Sequence, residues 1–323
     1  MQVADFITQA DALSAAGEPF LFLIDFEMQQ PLLWLPHEAS SEELLFSING
    51  FTNAPTSLPE PKEIALHRFP MSITEYRASF DQVIGHVQYG NSFLTNLTVK
   101  TKIELNTTLQ DLFFRVRAPY CCWLRNQFLF FSPESFIKIT NGKIRTFPMK
   151  GTIDARIPDA ATIILEDGKE MAEHVTIVDL LRNDLSRVAA DVWVSRFRYL
   201  EEVKTNHHPI LQVSSEIIGE ILPAYKSKMG SLLMELLPAG SVSGAPKDKT
   251  MAVIRSVEKE TRGYYTGVFG YFDGENLDSG VNIRYIEQQG ESLYYRSGGG
   301  LTARSDWKME YEEVIQKIYV PLD

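Results

Sequence analysis

Short apolar runs bounded by polar residues mark the strands of this chain. FLFLIDF (residues 20–26) and PLLWLP (31–36) are rich in aliphatic and aromatic residues and have the length of buried strands. Asn141-Gly142 separates the segments FIKIT and KIRTF, which is the strongest local signal for a two-residue β-hairpin. The same reasoning predicts strands over residues 93–105, 121–125, 128–132, 268–272, 281–286 and 293–297.

Apolar residues recur with helical spacing in other segments. Helices are predicted over residues 72–85, 167–183, 229–237, 247–258 and 306–319. Strands and helices come in clusters with several hairpins, and this order favours an α+β architecture over a wound parallel sheet. Residues 49–62 contain three prolines and are expected to form the main irregular stretch.

Composition and charge exclude several classes of function. The net charge is −11 and the chain has no basic run, so binding to nucleic acid or to an anionic membrane is not expected. No apolar run approaches the ~18–20 residues of a membrane span, and the first residues lack the pattern of a signal peptide. Cys121 and Cys122 are the only cysteines, and neighbouring cysteines form no disulfide framework. A reducing, cytoplasmic setting is the expectation.

The predicted helix over residues 167–183 contains a carboxylate among apolar positions. Glu173 shares a face with Ile177 and Leu180, and further apolar residues make the helix apolar nearly all round. A buried carboxylate requires a partner. An ion pair with Arg182 or Arg187 is the simpler interpretation, and a bound metal ion is the alternative.

The last predicted helix carries Glu310, Glu313 and Lys317 in one stripe, three and four residues apart. An exposed Glu–Lys pair, worth ~0.3–0.5 kcal/mol, would explain the spacing. Together with Glu173, these carboxylates could instead share one hard cation, because Mg²⁺ is typically held by one or two carboxylates plus substrate oxygens.

Lys150 and two glycine-rich segments are the remaining candidates. Lys150 follows a predicted strand in an apolar neighbourhood, where a desolvated amine would have a lowered pKa and could act as a nucleophile; a lysine that reaches water is the simpler interpretation. The glycine-rich stretches 239–247 and 296–306 could bind an anion through backbone N–H groups, or could be plain turns. Neither matches a phosphate-loop or dinucleotide motif.

Six motifs in one order resemble those of the chorismate-utilising enzymes, which include anthranilate, aminodeoxychorismate, isochorismate and salicylate synthases. The resemblance covers roughly residues 75–320 of a single domain spanning residues 1–323, in which residues 1–70 are a shortened N-terminal portion. It implies an α+β fold with two large, orthogonally packed β-sheets flanked by helices. The motifs are SPESF (132–136), PMKGT (148–152), AEHVTIVDLLRNDLSRV (172–188), LLPAGSVSGAPK (236–247), GVFGYFDGENLDSGVNIR (267–284) and SGGGLTARSDWKMEYEEVIQK (297–317).

The resemblance also implies roles for individual residues. Glu173 and Glu313, with Glu310 beside them, would bind Mg²⁺, and Glu134 would be the general acid at the C4 hydroxyl of chorismate. The groups expected to bind or surround the substrate are Arg284, Lys317, Gly244, Ala245, Gln212 and the backbone amides of Gly298, Gly299 and Gly300. Gln212 replaces a common histidine and cannot transfer a proton.

Lys150 discriminates within the family, since the resemblance places alanine there in anthranilate and isochorismate synthases and lysine in aminodeoxychorismate synthases. It implies that the Lys150 amine adds at C2 of chorismate and that ammonia then adds at C4, which gives 4-amino-4-deoxychorismate for 4-aminobenzoate and folate synthesis. Isochorismate synthases carry a lysine base where this chain has Leu94. The alternatives are anthranilate synthase component I and a chorismate-binding pseudoenzyme that regulates a partner.

Ammonia has to come from a second protein or from solution at high concentration. The chain has no glutaminase signature, so the resemblance implies a separate glutamine amidotransferase subunit, in a heterodimer. No motif of the tryptophan-feedback site is present, and inhibition by tryptophan is not expected.

Overall fold

A computed structural model of the chain describes residues 1–55, 63–203 and 209–322. The helices are α1 (Val3–Ala16), α2 (Ile73–Tyr89), α3 (Leu109–Phe113), α4 (Ala160–Glu166), α5 (Gly168–Leu185), α6 (Met229–Leu236), α7 (Lys247–Val257) and α8 (Trp307–Gln316). The strands that precede α4 are β1 (Phe20–Ile24), β2 (Leu32–Trp34), β3 (Leu44–Ile48), β4 (Phe51–Thr52), β5 (Leu66–Phe69), β6 (Leu94–Leu105), β7 (Tyr120–Leu124), β8 (Phe128–Ser132), β9 (Ser135–Thr140), β10 (Lys143–Thr146) and β11 (Met149–Asp154). The remaining strands are β12 (Ala189–Val203), β13 (Ile210–Ile221), β14 (Gly244–Ala245), β15 (Val268–Phe272), β16 (Leu277–Val281), β17 (Tyr285–Gln289) and β18 (Ser292–Leu301).

Within the described residues these strands form two antiparallel sheets of nine strands each. The first sheet has the order β11-β13-β10-β9-β16-β15-β1-β2, with β12 paired to β13. The second has the order β14-β6-β18-β17-β8-β7-β3-β4, with β5 paired to β6. The predicted α+β architecture is confirmed, and the N-terminal strands β1 and β3 belong to different sheets.

The position of strand β1 between two layers explains why its sequence is apolar at every position. Phe20 and Phe22 lie in a cluster with Phe6 of α1 and Leu232 of α6. Leu21, on the opposite face, lies in a different cluster with residues of β3 and β8 from the other sheet. All five residues of β1 are fully buried. The strand therefore separates a helical layer from the second sheet and buries both of its faces, which removes the alternation typical of a half-exposed strand.

The first long helix of the predicted core has defined ends. Ser72 accepts a hydrogen bond from the Glu75 backbone N–H, and the Glu75 side chain accepts one from the Ser72 N–H, which completes a capping box. Gly90 ends α2 in the left-handed conformation, at φ 90°. The helix is thus longer than the predicted 72–85, because the last turn before the glycine stays helical.

The strand predicted over residues 281–286 is wrong. Strand β16 ends at Val281 in the first sheet, and β17 begins at Tyr285 in the second. Between them Arg284 adopts φ 53°, and the Asn282 side chain donates to the Tyr264 carbonyl oxygen at 3.0 Å. The continuous apolar pattern hides a crossing from one sheet to the other.

The expectation that α5 is buried nearly all round is also wrong. Met171 is 37% exposed and Val175 is 47% exposed, whereas Ile177 and Val178 are buried. The helix therefore has a buried face and a partly apolar exposed face. The last predicted helix ends at Gln316 instead of 319, although the following Ile318 remains buried.

No element was predicted for residues 189–221, where the structure has the long pair β12 and β13. Three register shifts interrupt the pairing, and Asp191 and Arg198 have positive φ angles of 47° and 48°. Such bulges disturb the period-two pattern on which a strand prediction relies. Of the predicted irregular stretch, residues 56–62 lie outside the described part of the chain, and β4 occupies two of the others.

Across the described ranges, none of the helices combines the length and the apolarity that crossing a bilayer requires.

Candidate active site

A cavity of about 620 Å³ lies where the two sheets and helices α5 and α8 meet. Most of the predicted site residues line it, although they come from distant segments of the sequence. They are Glu134, Lys150, Glu173, Gln212, Arg284, Gly298, Gly299, Gly300, Glu313 and Lys317. Gly244 and Ala245 are not among the lining residues. Their short strand β14 pairs with Thr95 and Leu94 of β6, and of these two strands β6 supplies the lining residue Leu94. Glu310 is 9% exposed and does not line the cavity either.

Lys150 forms an ion pair with Glu173. The Lys150 Nζ lies 2.8 Å from the Glu173 Oε2, and 36% of the lysine side chain and 16% of the glutamate side chain are exposed. The predicted pairing of Glu173 with Arg182 or Arg187 is wrong, since Arg182 pairs with Asp179 and Arg187 with Glu235. Lys150 also lies within β11 and not after it, because PMKGT continues the ladder with β13.

The expected lowering of the Lys150 pKa is wrong. Burial lowers this pKa, but the charge and the hydrogen bond of Glu173, with further acidic charge from Glu313, outweigh it and raise the pKa of Lys150 above its usual value. The sequence suggested an apolar neighbourhood, whereas folding brings three glutamates within electrostatic reach of the amine.

A buried histidine holds α5 against the strands that carry Lys150. The His174 Nε2 lies 2.7 Å from the Ser215 Oγ of β13, and its Nδ1 lies 3.4 Å from the Lys150 carbonyl oxygen. His174 is fully buried, and burial lowers its pKa. Because Glu173 precedes His174 directly, these contacts fix the carboxylate beside Lys150.

Helix α8 brings a second acidic group to the cavity. Asp306 caps the helix by accepting from the backbone N–H groups of Lys308 and Met309. The Glu313 Oε1 lies 2.7 Å from the Lys317 Nζ, and burial is outweighed by this lysine so that the pKa of Glu313 is lowered. Burial raises the pKa of Glu310.

The glycines of β18 have no side chains, which allows the side chains of α8 to lie close to the strand at the cavity. A Cβ atom at Gly299 would lie 3.4 Å from the Glu310 Oε2 and 3.9 Å from the Lys317 Nζ. The three glycines are strand residues and not the turn that was the simpler interpretation, and they pair with β6 up to Leu301. Their ladder with β17 ends at Arg296, so this stretch has a strand partner on one side only. Lys317 donates to the Gly298 carbonyl oxygen at 2.8 Å.

The acidic groups fit a hard cation as ligands. Within the described residues no group of three His, Cys, Asp or Glu side chains has metal-binding geometry. Glu173 and Glu313 nevertheless act on the same Lys150 charge from two different helices, and Mg²⁺ needs only one or two carboxylates if the substrate supplies further oxygens.

Glu170 is a cavity residue that the sequence analysis missed. Among the described residues its buried Oε2 has no hydrogen-bond partner, and this atom would lie 3.0 Å from a Cβ atom at Gly151. Burial, with added repulsion from Glu173, raises the pKa of Glu170. Its position three residues before Glu173 on one helix face is the signal that could have identified it.

Glu134 lines the cavity, and its burial favours the protonated form of its carboxyl group. It lies in the short connection between β8 and β9, and its Oε1 accepts a hydrogen bond of 2.5 Å from the Ser241 Oγ. Burial raises the pKa of Glu134, although Ser241, Lys317 and Arg284 act in the opposite direction. A raised pKa is what a general acid requires near neutral pH.

Two buried ion pairs hold the loop that carries Ser241. Lys247 lies 2.9 Å from Asp184, with 12% and 8% of the side chains exposed, and also donates to the Leu236 carbonyl oxygen. Arg262 pairs with Glu258 at 2.7 Å and donates to the Val242 carbonyl oxygen. The loop is therefore fixed at both of its ends and in its middle.

Another part of the cavity contains buried polar groups that have no partner among the described residues. Within these ranges the Arg284 Nε, the Ser297 Oγ and the Asn96 Oδ1 are buried without a hydrogen bond, and the Arg284 guanidinium lies 4.9 Å from the ring centre of Tyr319. Unpaired buried polar atoms in a cavity are candidates for contacts with a ligand. The sequence analysis did not identify Asn96 or Ser297, because a hydroxyl and an amide carry no pattern of their own.

Gln212, which replaces a common histidine, and Leu94, which stands where isochorismate synthases carry a lysine base, both line the cavity. Gln212 lies on β13 opposite Thr152, and its Nε2 is 2.7 Å from the Met149 Sδ. The Leu94 Cδ1 would lie 3.0 Å from a Cβ atom at Gly300, so the leucine closes the cavity above the glycines.

Comparison with known proteins identifies the family. The model of the chorismate binding enzyme family matches residues 5–323. An uncharacterized PabA-like protein of Pasteurella multocida is 48% identical over 324 residues and covers 100% of both chains. Aminodeoxychorismate synthase component 1 of Klebsiella aerogenes is 32% identical over 78% of this chain and 58% of its own length, so this chain spans little more than half of that relative.

A solved structure has the same fold. Sequence identity to relatives does not distinguish an anthranilate synthase from an aminodeoxychorismate synthase. Anthranilate synthase component I of Streptococcus pneumoniae superimposes with a TM-score of 0.66 at 26% identity and covers 81% of this chain and 60% of its own. Curated anthranilate synthase components match at identities similar to that of the Klebsiella protein. The family match over nearly the whole chain and the cavity built from its motifs lead to one conclusion: the chain belongs to the chorismate-binding enzyme family.

Proposed function

We propose that this protein is the chorismate-converting component of an aminodeoxychorismate synthase, which forms 4-amino-4-deoxychorismate from chorismate and ammonia. The observation that supports this activity most directly is the lysine amine of Lys150 at the cavity wall, 2.8 Å from Glu173 and in the same cavity as Glu134. By the motif resemblance, anthranilate synthases carry alanine at this position. Alanine offers no nucleophile, whereas a lysine in the cavity allows covalent catalysis.

The proposed reaction uses Lys150 as nucleophile and Glu134 as acid. The Lys150 nitrogen forms a bond to C2 of chorismate, the ring double bonds shift, and the C4 hydroxyl leaves as water with the proton of Glu134. Ammonia then forms a bond to C4, the double bonds shift back, and the lysine nitrogen is released from C2. Attack needs the amine lone pair, so the ion pair between Lys150 and Glu173 has to open and the Lys150 ammonium has to give a proton to water before the first bond forms.

Other residues bind and orient the substrate in this proposal. Arg284 and Lys317 would hold carboxylates, together with the backbone along Gly298, Gly299 and Gly300. Glu173 and Glu313 would hold Mg²⁺, which supplies neutralisation of a substrate carboxylate when it is bound. Gln212 would contribute a hydrogen bond but no proton transfer.

Ammonia would come from a separate glutamine amidotransferase. The two cysteines are buried, and burial raises the pKa of Cys121 to about 12 and that of Cys122 well above its usual value. A thiol that stays protonated cannot serve as the nucleophile of a glutaminase. This chemistry supports a heterodimer in which the second subunit hydrolyses glutamine.

Anthranilate synthase component I is the second candidate, supported by the similarity to the Streptococcus pneumoniae enzyme and by the shared acidic site. A pseudoenzyme that only binds chorismate would not need Glu134 and Lys150 in the same cavity.

Product analysis tests the proposal. The purified protein is incubated with chorismate, Mg²⁺ and ammonium salt, with and without aminodeoxychorismate lyase, and products are identified by mass spectrometry and fluorescence. We expect 4-aminobenzoate only when the lyase is present. Anthranilate as the main product would replace the proposal by the second candidate. Binding of chorismate without turnover, even with an amidotransferase supplied, would favour the pseudoenzyme.

A further inference from the structure

Both carboxylate oxygens of Glu173 are in contact with lysines. The Oε2 lies 2.8 Å from the Lys150 Nζ, and the Oε1 lies 3.9 Å from the Lys169 Nζ. The shorter contact joins β11 to α5 and is the more enclosed of the two, since Lys169 is 46% exposed and Lys150 is 36% exposed. Glu173, the proposed metal ligand, therefore has the Lys150 ammonium on its Oε2, the oxygen that faces β11.

The charge of Lys150 is shared by a larger acidic group. Glu170 and Glu313 act on the Lys150 ammonium in addition to Glu173. Glu310 lies next to Gly299, close to Glu313. These three cavity carboxylates and Glu310 beside them repel one another, and a positive charge among them offsets the repulsion.

A divalent cation requires the same oxygens as the ammonium. Mg²⁺ binds carboxylate oxygens at ~2.0–2.1 Å and carries twice the charge of a lysine in a smaller volume. The ammonium at 2.8 Å from the Glu173 Oε2 and a metal ion on that oxygen cannot occupy the same space. One of them has to leave when the other arrives.

We propose that Lys150 and a divalent cation compete for the Glu173 carboxylate, so that cation binding releases the lysine from its ion pair and frees the Nζ for the substrate. This inference rests on the proposed function, because it takes Lys150 as the nucleophile and Glu173 as a metal ligand. It adds an order of events in which the cation binds first and the lysine becomes available second.

Lys317 differs from Lys150 in this respect. It is the residue that caps the C-terminal end of α8, four residues after Glu313, with which it pairs, and its Nζ also donates to the Gly298 carbonyl oxygen. The helix end therefore keeps Lys317 near Glu313 whatever else binds there. Lys150 comes from β11 and Glu173 from α5, so no single element keeps these two residues together.

Cation affinity of the full chain without chorismate tests the competition. Calorimetric titration with Mg²⁺, repeated with Mn²⁺, compares wild type with Lys150→Met, which keeps an unbranched side chain one atom shorter and removes the charge. We expect the variant to bind about tenfold more tightly, because no ammonium has to be displaced from a partly buried pair. Lys169→Met is the matched control, and its more exposed contact at 3.9 Å predicts a change of less than about threefold.

Thermal unfolding gives a second readout. Lys150→Met should have a lower midpoint than wild type without the cation, and saturating Mg²⁺ should raise its midpoint by more than it raises that of wild type. Equal or weaker cation affinity of Lys150→Met would overturn the competition, and so would the absence of measurable binding by both proteins. Product analysis is independent of this result. Anthranilate as product with a tighter-binding variant would reject the proposed function and keep the competition, whereas aminodeoxychorismate as product with equal affinities would reject the competition alone.

Discussion

Two lysine–glutamate pairs line the same cavity, and the chain assembles them in different ways. Glu313 of α8 and Lys317, which caps the C-terminal end of that helix, are four residues apart, with a contact of 2.7 Å. Lys150 and Glu173 come from β11 and α5, with a contact of 2.8 Å. The distances are nearly equal, but the first pair is made by helical geometry alone and the second requires the packing of α5 on the sheet. When the two members of a pair come from different elements, a ligand can open the pair without unfolding either element. Such a pair suits a reactive group.

The largest effect is expected from the lysine of the long-range pair. Lys150→Ala should reduce turnover of chorismate with ammonium salt by at least about a thousandfold, because the covalent path is lost. Circular dichroism and the unfolding midpoint serve as checks that the fold is retained. A variant that keeps most of its activity would show that Lys150 is not the nucleophile.

The glutamate of the same pair comes next. Glu173→Gln should abolish Mg²⁺-dependent turnover, because a neutral amide is a poor ligand for a hard cation. A calorimetric scan should show little loss of folding, since the amide can still accept a hydrogen bond from Lys150. Full activity at saturating Mg²⁺ would remove Glu173 from the metal site.

Glu134 tests the acid on the other wall of the cavity. Glu134→Gln should lower kcat by about a hundredfold or more, with a smaller change in KM. Burial raises the pKa of Glu134, so the protonated acid persists to higher pH than for an exposed glutamate, and kcat of the wild type should fall as pH rises through that raised pKa. The variant should lose this limb of the pH profile. An unchanged limb would assign it to another group.

A third pair, Lys247 with Asp184, is also long-range, and it tests whether a pair stabilises the fold without taking part in the chemistry. Lys247 and Asp184 are more buried than either cavity pair, and burial lowers the pKa of the lysine and raises that of the aspartate. Lys247→Met should lower the free energy of unfolding by about 3 kcal/mol, because it leaves Asp184 buried without its partner. Denaturant titration measures this. A loss below about 1 kcal/mol would mean that the aspartate relaxes towards water.

The smallest effect on stability is expected from the local pair. Lys317→Met should change the free energy of unfolding by only about 0.3–0.5 kcal/mol, because an i,i+4 pair that is half exposed contributes little. KM for chorismate should nevertheless rise if Lys317 holds a carboxylate. A large loss of stability with an unchanged KM would reverse the roles given to the two kinds of pair.

The sequence predicted local features well and distant contacts poorly. The hairpin at Asn141 and the acidic stripe of α8 each depend on residues at most a few positions apart, and both are present. The partner of Glu173 was assigned to Arg182 or Arg187, which are near in the sequence, whereas the actual partner lies 23 positions earlier, on β11. The pKa of Lys150 was assigned the wrong direction for the same reason, since its charged neighbours come from other elements.

Breaks in regular pattern were the second source of error. The apolar run at residues 281–286 was taken for one strand, although the chain passes from one sheet to the other at Arg284. The bulges of β12 obscured a strand of 15 residues. Glu170 and Ser297 were missed because a carboxylate or a hydroxyl acquires meaning only when it is found buried without a partner.

By itself the sequence determined the architecture, the order of the motifs and most of the residues that line the cavity, because hydrophobic spacing fixes local structure and motifs fix residue types. The tertiary structure decided which charges meet. Electrostatic interactions depend on distance and burial, and these are set by how β11, α5, α8 and β18 pack together. The pairing of Lys150 with Glu173, the raised pKa of Glu134 and the competition proposed for the metal site all arise at that level.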